Sequence, residues 1–431
     1  MERRNFLVGT VAASVARASV AGKPALLGGE PVRKTKFPGW PVMDETEDRA
    51  ILEVLRGGRW NRAAAVGRFE QEYAKALNAQ AVLATANGTS ALLTALNVLG
   101  AGPGDEVILP PYTFVATLNV ILQVHALPVF VDSDPETFQI DARKIEAAIT
   151  PRTVAIMPVH LGGNVSDLDA ILEIGRRRGI PVIEDACQAH LAEWRGRPVS
   201  TFGKCGAFSF QASKNLNSGE GGALVSNDRD FIDQCYAFHN NSSGRAGVSF
   251  SYRAKGLNVR MTEFQAALLL SQMTRLARQM RTREDNAAYL TSMLKEIPGL
   301  QPARMYPNCT RNAYHLYMFR YDPARFAGLP RAGFLKALAA EGVPASAGYS
   351  PLNKEAVLNA TFESRGYKRI YGENAMAQWA DRNQCPANDR LCGEAVWLTQ
   401  TMLLGPRQDM DDIGAAIRKI QHHASDLAAK T

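Results

Sequence analysis

Between residues 81 and 185, short apolar runs alternate with longer stretches in which apolar side chains recur every three or four positions. Ala81-Val-Leu-Ala-Thr85, Val107-Ile-Leu109, Pro128-Val-Phe-Val-Asp132, Val154-Ala-Ile-Met157 and Pro181-Val-Ile-Glu-Asp185 read as strands, too uniformly apolar to leave one face in water. The residues between them, 89–99, 115–124, 141–148 and 167–178, carry the helical period. Strands separated by helices of about ten residues predict a mainly parallel α/β sheet covered on both faces. Ahead of this alternation, 44–56 and 66–77 predict two helices, the first ended by Gly57-Gly58. After it, Gly206-Ala-Phe-Ser-Phe210 predicts one more buried strand, which Asn217-Ser-Gly-Glu-Gly-Gly222 cannot continue.

The pattern changes near residue 258. Residues 262–283 predict a long helix that links two domains, followed by an aromatic strand at 314–320, a helix at 331–341, a short strand at 396–398 and a last helix at 410–422. This divides the chain into a large α/β domain over 22–275 and a smaller C-terminal α+β domain over 276–431. There is no internal repeat, no low-complexity segment and no transmembrane span in the pattern.

Composition narrows the class only a little. The chain has 431 residues, 46% hydrophobic and 21% charged, as expected for a globular enzyme too long for one small core. The formal charge of +7 comes from 49 basic and 42 acidic side chains, and the basic ones are scattered, so nothing points to nucleic acid. Arg176-Arg-Arg178 is the densest run and suits the C-terminal end of a helix. The six cysteines form no CxxC pair and have no accompanying histidine spacing, which argues against a metal site.

The N-terminus is separate in character. Arg3-Arg4 precedes an uncharged stretch over 6–16, and Ser19-Val20-Ala21 has the small residues of a cleavage site. Residues 1–21 therefore read as a twin-arginine-type export signal or as a basic disordered tail, and the protein as cytoplasmic or exported accordingly.

Three strand ends carry chemistry. Asn87-Gly-Thr-Ser90 opens a helix with small and hydroxyl residues, which suits either an ordinary cap or a phosphate held on free N–H groups. Asp185 ends an apolar strand, where a carboxylate needs a cation or hydrogen-bond donors. Lys214 lies between a buried strand and a glycine-rich turn, and is either a solvated surface lysine or an amine nucleophile. A phosphate, a ring nitrogen that takes a carboxylate and an aldehyde that takes an amine together describe pyridoxal 5′-phosphate, with Phe114 available to stack on its ring.

The motifs Asn87-Gly-Thr-Ser-Ala91, Gly104-Asp-Glu-Val-Ile108, Tyr112-Thr-Phe-Val-Ala-Thr117, Pro158-Val-His-Leu-Gly162, Glu184-Asp-Ala-Cys-Gln188, Phe208-Ser-Phe-Gln-Ala-Ser-Lys214 and Gly219-Glu-Gly-Gly222 stand in that order. With Gly256-Leu-Asn-Val-Arg-Met-Thr262 and the closing segment 404–413, they closely resemble the DegT/StrS family of pyridoxal-phosphate-dependent sugar aminotransferases, over residues 26–421. The resemblance implies the aspartate-aminotransferase-like fold type I and a homodimer with shared active sites. It makes Lys214 the Schiff-base lysine and Asp185 the partner of the pyridine nitrogen. Gln188 is placed by the phenolic oxygen, Phe114 on the ring, Thr89, Ser90 and Ser209 at the phosphate, and Asn258 at the phosphate of the neighbouring subunit. Two positions depart from the family pattern: Cys187 replaces a small residue, and Leu398-Thr-Gln400 stands where Leu-Pro is common.

The activity implied is transfer of an amino group from glutamate or glutamine to a keto sugar, nucleotide-linked by expectation, or to a cyclitol. A pyridoxal-phosphate-binding regulator without turnover is the alternative from another class. A sugar dehydratase is the alternative within the family, although that branch carries histidine where Lys214 stands. His160 reads as structural, and His315 either as a packed histidine or as one that reaches the substrate from the small domain.

Overall fold

The computed structural model describes residues 22–244 and 255–430. The segment 1–21, on which the export-signal expectation falls, lies outside the described residues.

Seven strands build the main sheet: β1 (Ala81–Thr85), β2 (Glu106–Leu109), β3 (Leu127–Phe130), β4 (Thr153–Ile156), β5 (Ile183–Asp185), β6 (Cys205–Ser209) and β7 (Gly222–Ser226). Ladders join β3 to β2, β2 to β4 and β5 to β6 in parallel, and bridges Ile156↔Val182 and Val159↔Asp185 join β4 to β5 in the same sense. Strand β7 is antiparallel to both β6 and β1, so the order is β3-β2-β4-β5-β6-β7-β1 with β7 alone reversed. The sheet is thus mainly parallel, as expected, and β7 is an element the sequence reading did not include. Its five residues Gly-Ala-Leu-Val-Ser begin inside the glycine run that reads as a turn.

Side-chain alternation explains why both faces are covered. Val107 and Leu109 pack in one core with the helices Gly88–Val98, Val115–Gln123 and Arg229–His239, while Ile108 points to the other face with Ile171 and Ile174 of the Leu168–Arg178 helix. At β6, Ala207 joins the first core, and Phe208 joins a core with Phe69, Tyr73, Ala266 and Leu276.

The long helix is Glu263–Lys295, which continues twelve residues past the predicted end. Of the arginines along it, Arg278 and Arg281 are exposed, whereas Arg275 and Arg283 are buried. Arg275 pairs with Asp44 and Glu47, and Arg283 donates through Nε and Nη2 to Gln400 Oε1 at 2.9 and 2.6 Å. The first half of this helix packs on the main sheet, and its second half, with Leu290 and Leu294, belongs to the C-terminal core. There an antiparallel sheet of Leu300–Pro302, Leu316–Tyr321 and Ala395–Thr399 packs with the helices Arg331–Ala340 and Arg407–His422.

Three helices between 356 and 382, which the sequence pattern did not reveal, return to the large core. Phe362, Tyr367 and Trp379 pack there, Trp379 Nε1 donates to the Pro128 carbonyl at 2.8 Å, and Asn383 Oδ1 accepts from Phe130 N at 2.6 Å. They cover the otherwise unpaired edge of β3.

Candidate active site

The carboxyl ends of the parallel strands β1, β5 and β6 open into one cavity of about 560 Å³, the position where open α/β sheets bind ligands. A cavity of about 740 Å³ lies between residues 33–37 and 397–402. Only the smaller one brings a lysine and an aspartate together.

At the end of β1, Asn87 caps the Gly88–Val98 helix, its Oδ1 accepting from Ser90 N at 2.8 Å. Close packing brings this helix start against β6 and β7. A Cβ on Gly88 would stand 2.8 Å from both Cys187 Sγ and Ser209 Cβ, and one on Gly222 would stand 2.2 Å from the Asn87 carbonyl carbon. Glycine at both positions is what lets the helix point its leading N–H groups into the cavity end. Thr89 lines the cavity; Ser90 does not.

At the end of β5, Asp185 is 4% exposed. Its Oδ2 accepts from Thr117 Oγ1 at 2.8 Å, Thr117 lies 3.0 Å from Thr113 Oγ1, and Oδ1 accepts from Cys187 N at 3.1 Å. Two donors hold the carboxylate in one orientation, which meets the requirement that a buried charge be hydrogen-bonded. Three residues on, Gln188 Oε1 accepts from Gly162 N at 2.7 Å, and Nε2 donates to Tyr349 Oη at 3.2 Å.

After β6 the chain turns back into β7 through a loop clasped by backbone pairs: Phe210 N to Gly221 O, Ser218 N to Phe210 O and Ala212 N to Gly219 O. Lys214 sits at its tip, half-buried, and reaches the cavity. Burial holds its proton affinity below the ordinary lysine range, an effect that Cys187 and Asp185 partly offset.

Ser209 lines the same cavity, and its carbonyl accepts from His190 Nε2 at 2.8 Å. A carbonyl can only accept, so Nε2 carries the proton and Nδ1 accepts from Tyr73 Oη at 3.0 Å. Burial pushes His190 down to about 3, so it stays neutral between the rings of Phe208 and Phe210. Phe114, 55% exposed, presents its ring to the cavity from the start of the Val115–Gln123 helix.

Of the sequence-derived set, the structure brings together Thr89, Phe114, Asp185, Gln188, Ser209 and Lys214. Asn258 lies elsewhere, bridged to Asn240. His160 is buried and meets Glu184 Oε2 at 3.1 Å, and Gln400, taken up by Arg283, does not line the cavity. Thr117 and His190 were not singled out from sequence. Thr117 lies in the first turn of the Val115–Gln123 helix, its hydroxyl 3.0 Å from that of Thr113 just ahead of the helix, whereas nothing local to His190 marks it.

A buried carboxylate fixed at a strand end, an amine with lowered proton affinity and a glycine-tight helix start fit a ligand with a ring nitrogen, an aldehyde and a phosphate. The chain matches the DegT/DnrJ/EryC1/StrS aminotransferase family over residues 41–418. It is 36% identical over 422 residues to the L-glutamine:2-deoxy-scyllo-inosose aminotransferase of Streptoalloteichus tenebrarius, covering 94% of this chain and 99% of that one. It is 36% identical over 425 residues to the L-glutamine:scyllo-inosose aminotransferase of Streptomyces griseus, with the same coverage. Among solved structures it is similar to 3-amino-5-hydroxybenzoic acid synthase, with a TM-score of 0.82 and 32% identity, covering 93% of this chain and all of that one.

Proposed function

The chain belongs to the DegT/DnrJ/EryC1/StrS aminotransferase family and is a pyridoxal-phosphate-dependent transaminase, and we propose that it moves the amino group of glutamine onto the keto carbon of an uncharged cyclitol. The observation that carries this reading is the meeting of Lys214, Asp185 and the Gly88–Val98 helix start in one cavity, in a chain related over almost its whole length to inosose aminotransferases. A sensor without turnover and a sugar dehydratase are not favoured, because these relatives are aminotransferases and a lysine stands at 214.

Pyridoxal phosphate, when bound, supplies an aldehyde for amines and a pyridinium ring that draws off electrons. In this reading Lys214 tethers the cofactor and, once free, carries a proton to and from the reacting carbon, for which its lowered proton affinity suits it. Asp185, fixed by Thr117 and the Cys187 N–H, keeps the ring nitrogen protonated. Thr89 and Ser209 hold the phosphate at the helix start, Phe114 covers the ring, and Gln188 lies beside the phenolic oxygen; Ser90, outside the cavity with its N–H given to Asn87, is dropped from the phosphate set.

The reading includes a homodimer in which Asn258 serves the phosphate of the other subunit. A cluster of exposed apolar side chains supports it: Met43 at 67%, Leu52 at 41%, Leu55 at 47% and Trp60 at 52%, on and beside the Glu45–Gly57 helix. It also keeps a large lobe at 22–275 and a small lobe at 276–431, the latter lending its 356–382 helices to the large core, and a twin-arginine signal in 1–21.

Purified protein incubated with glutamine or glutamate and a panel of ketones tests the function. Mass spectrometry is expected to find an amino cyclitol made from scyllo-inosose or its 2-deoxy analogue with glutamine. Transfer to a nucleotide-linked keto sugar alone would refute the acceptor class.

A further inference from the structure

The C-terminal half of the chain contributes His315, Leu316, Tyr349 and Trp397 to the cavity wall, and two of these carry polar groups whose orientation is determined from behind. His315 is 6% exposed and lies 3.2 Å through Nδ1 from Asn215 Oδ1. The Asn215 amide is itself oriented, because its Nδ2 donates to the Ala313 carbonyl at 2.7 Å. Oδ1 therefore faces the imidazole as an acceptor, Nδ1 must bear the ring proton, and Nε2 keeps a bare lone pair. Burial and the nearby Lys214 charge hold the ring far below the ordinary histidine range, so it stays neutral.

Tyr349 is oriented by the same logic. Gly162 N–H fixes Gln188 Oε1 at 2.7 Å, which turns the Gln188 NH₂ toward Tyr349 Oη at 3.2 Å. The phenol oxygen accepts there, so its own proton is left to donate. Burial pushes Tyr349 up to about 12, and the edges of Trp397 and Tyr112, with ring centres 4.6 and 5.6 Å away, fix the ring. The pair thus offers one acceptor and one donor. Lys214 is the only cationic side chain among the described residues lining the cavity.

We infer that His315 Nε2 and Tyr349 Oη form a two-point reader of the amino acceptor, Tyr349 donating to one oxygen of the ligand and His315 accepting from a hydroxyl on a neighbouring carbon. The ligand so recognised is an uncharged polyhydroxy ketone. The inference rests on the proposed function and adds the residues that select the acceptor. Both are positioning residues for the acceptor, and the inference assigns neither of them to glutamine.

The test separates the two half-reactions on the cofactor-loaded enzyme, each followed through the visible absorbance of the lysine-bound cofactor. Tyr349→Phe and His315→Phe are each expected to lower kcat/KM for scyllo-inosose by roughly tenfold, the size of one neutral hydrogen bond, mainly through KM. The glutamine half-reaction is expected to change by less than about twofold, since neither residue holds that substrate. Of the two, Tyr349→Phe removes a single oxygen and keeps the ring packing, so it reports even if the histidine variant folds poorly. Equal losses in both half-reactions would overturn the inference and assign the pair to the cofactor, and unchanged rates in both would also overturn it. A wild type that reacts with glutamine yet passes nitrogen to no polyhydroxy ketone would refute the proposed function together with the inference. Wild-type turnover with unaffected variants would refute the inference alone.

Discussion

Replacing His190 by glutamine probes the support behind Ser209. The imidazole lies between Phe208 and Phe210, gives its Nε2 proton to the Ser209 carbonyl and takes one from Tyr73. Burial lowers its proton affinity from the ordinary 6.5 to about 3. The folded protein therefore keeps His190 neutral over a window in which the unfolded chain protonates it. Between about 3 and 6.5 the unfolded state binds more protons, so stability rises with pH and is lost as pH falls through that range. One unit is worth about 1.36 kcal/mol, so at pH 5, some 1.5 units below the unfolded value, His190 costs the wild type about 2 kcal/mol that it does not cost at pH 7.5. Glutamine keeps an amide donor for Ser209 but does not titrate. Urea unfolding of the cofactor-loaded protein at pH 7.5 and 5 measures the effect, and all other titrating groups cancel in the difference between variant and wild type. The variant starts less stable at pH 7.5, and the gap narrows by about 2 kcal/mol at pH 5. A gap of equal size at both pH values would refute the neutral, buried assignment.

Other perturbations follow from the same geometry. Thr117→Val removes the donor to Asp185 Oδ2 with almost no change in shape, and should lower stability by about 1–3 kcal/mol and loosen cofactor retention, measured by melting and by dialysis against buffer. Gly222→Ala sets a methyl group 2.2 Å from the Asn87 carbonyl carbon and forces the helix start outward, so a loss of about 1–3 kcal/mol with weakened cofactor binding is expected; an unchanged cofactor affinity would argue against a phosphate at that helix start. Leu55→Glu places a charge in the exposed apolar cluster, and sedimentation should shift from dimer to monomer if that surface joins two copies.

Much of the sheet was readable because parallel strands buried on both faces are locally distinctive. Strands β1 to β6 each announce themselves as an apolar run near a turn. Strand β7 does not, since it starts at Gly222 within a glycine cluster and pairs antiparallel across a loop whose purpose is to present Lys214. The long helix runs on past 283 into the C-terminal core, and the burial of Arg275 and Arg283 along it depends on the distant partners Asp44, Glu47 and Gln400. The helices over 356–382 have mixed polar faces, and their burial depends on the edge of β3, more than 200 residues away in sequence. At the site, Lys214, Asp185 and Asn87 stood out because each ends a strand. Tyr349 and His315 acquire direction only through Gln188 and Asn215, and Thr117 acquires its role only through Asp185, relations that no local pattern carries.

Everything proposed for this cavity depends on Lys214 carrying the cofactor. Borohydride reduction of the purified, cofactor-loaded protein, followed by proteolysis and mass mapping, tests it directly. A pyridoxyl mass is expected on the peptide containing Lys214 and is expected to be absent in Lys214→Ala. A label of equal yield on another lysine, or retained in the variant, would contradict it.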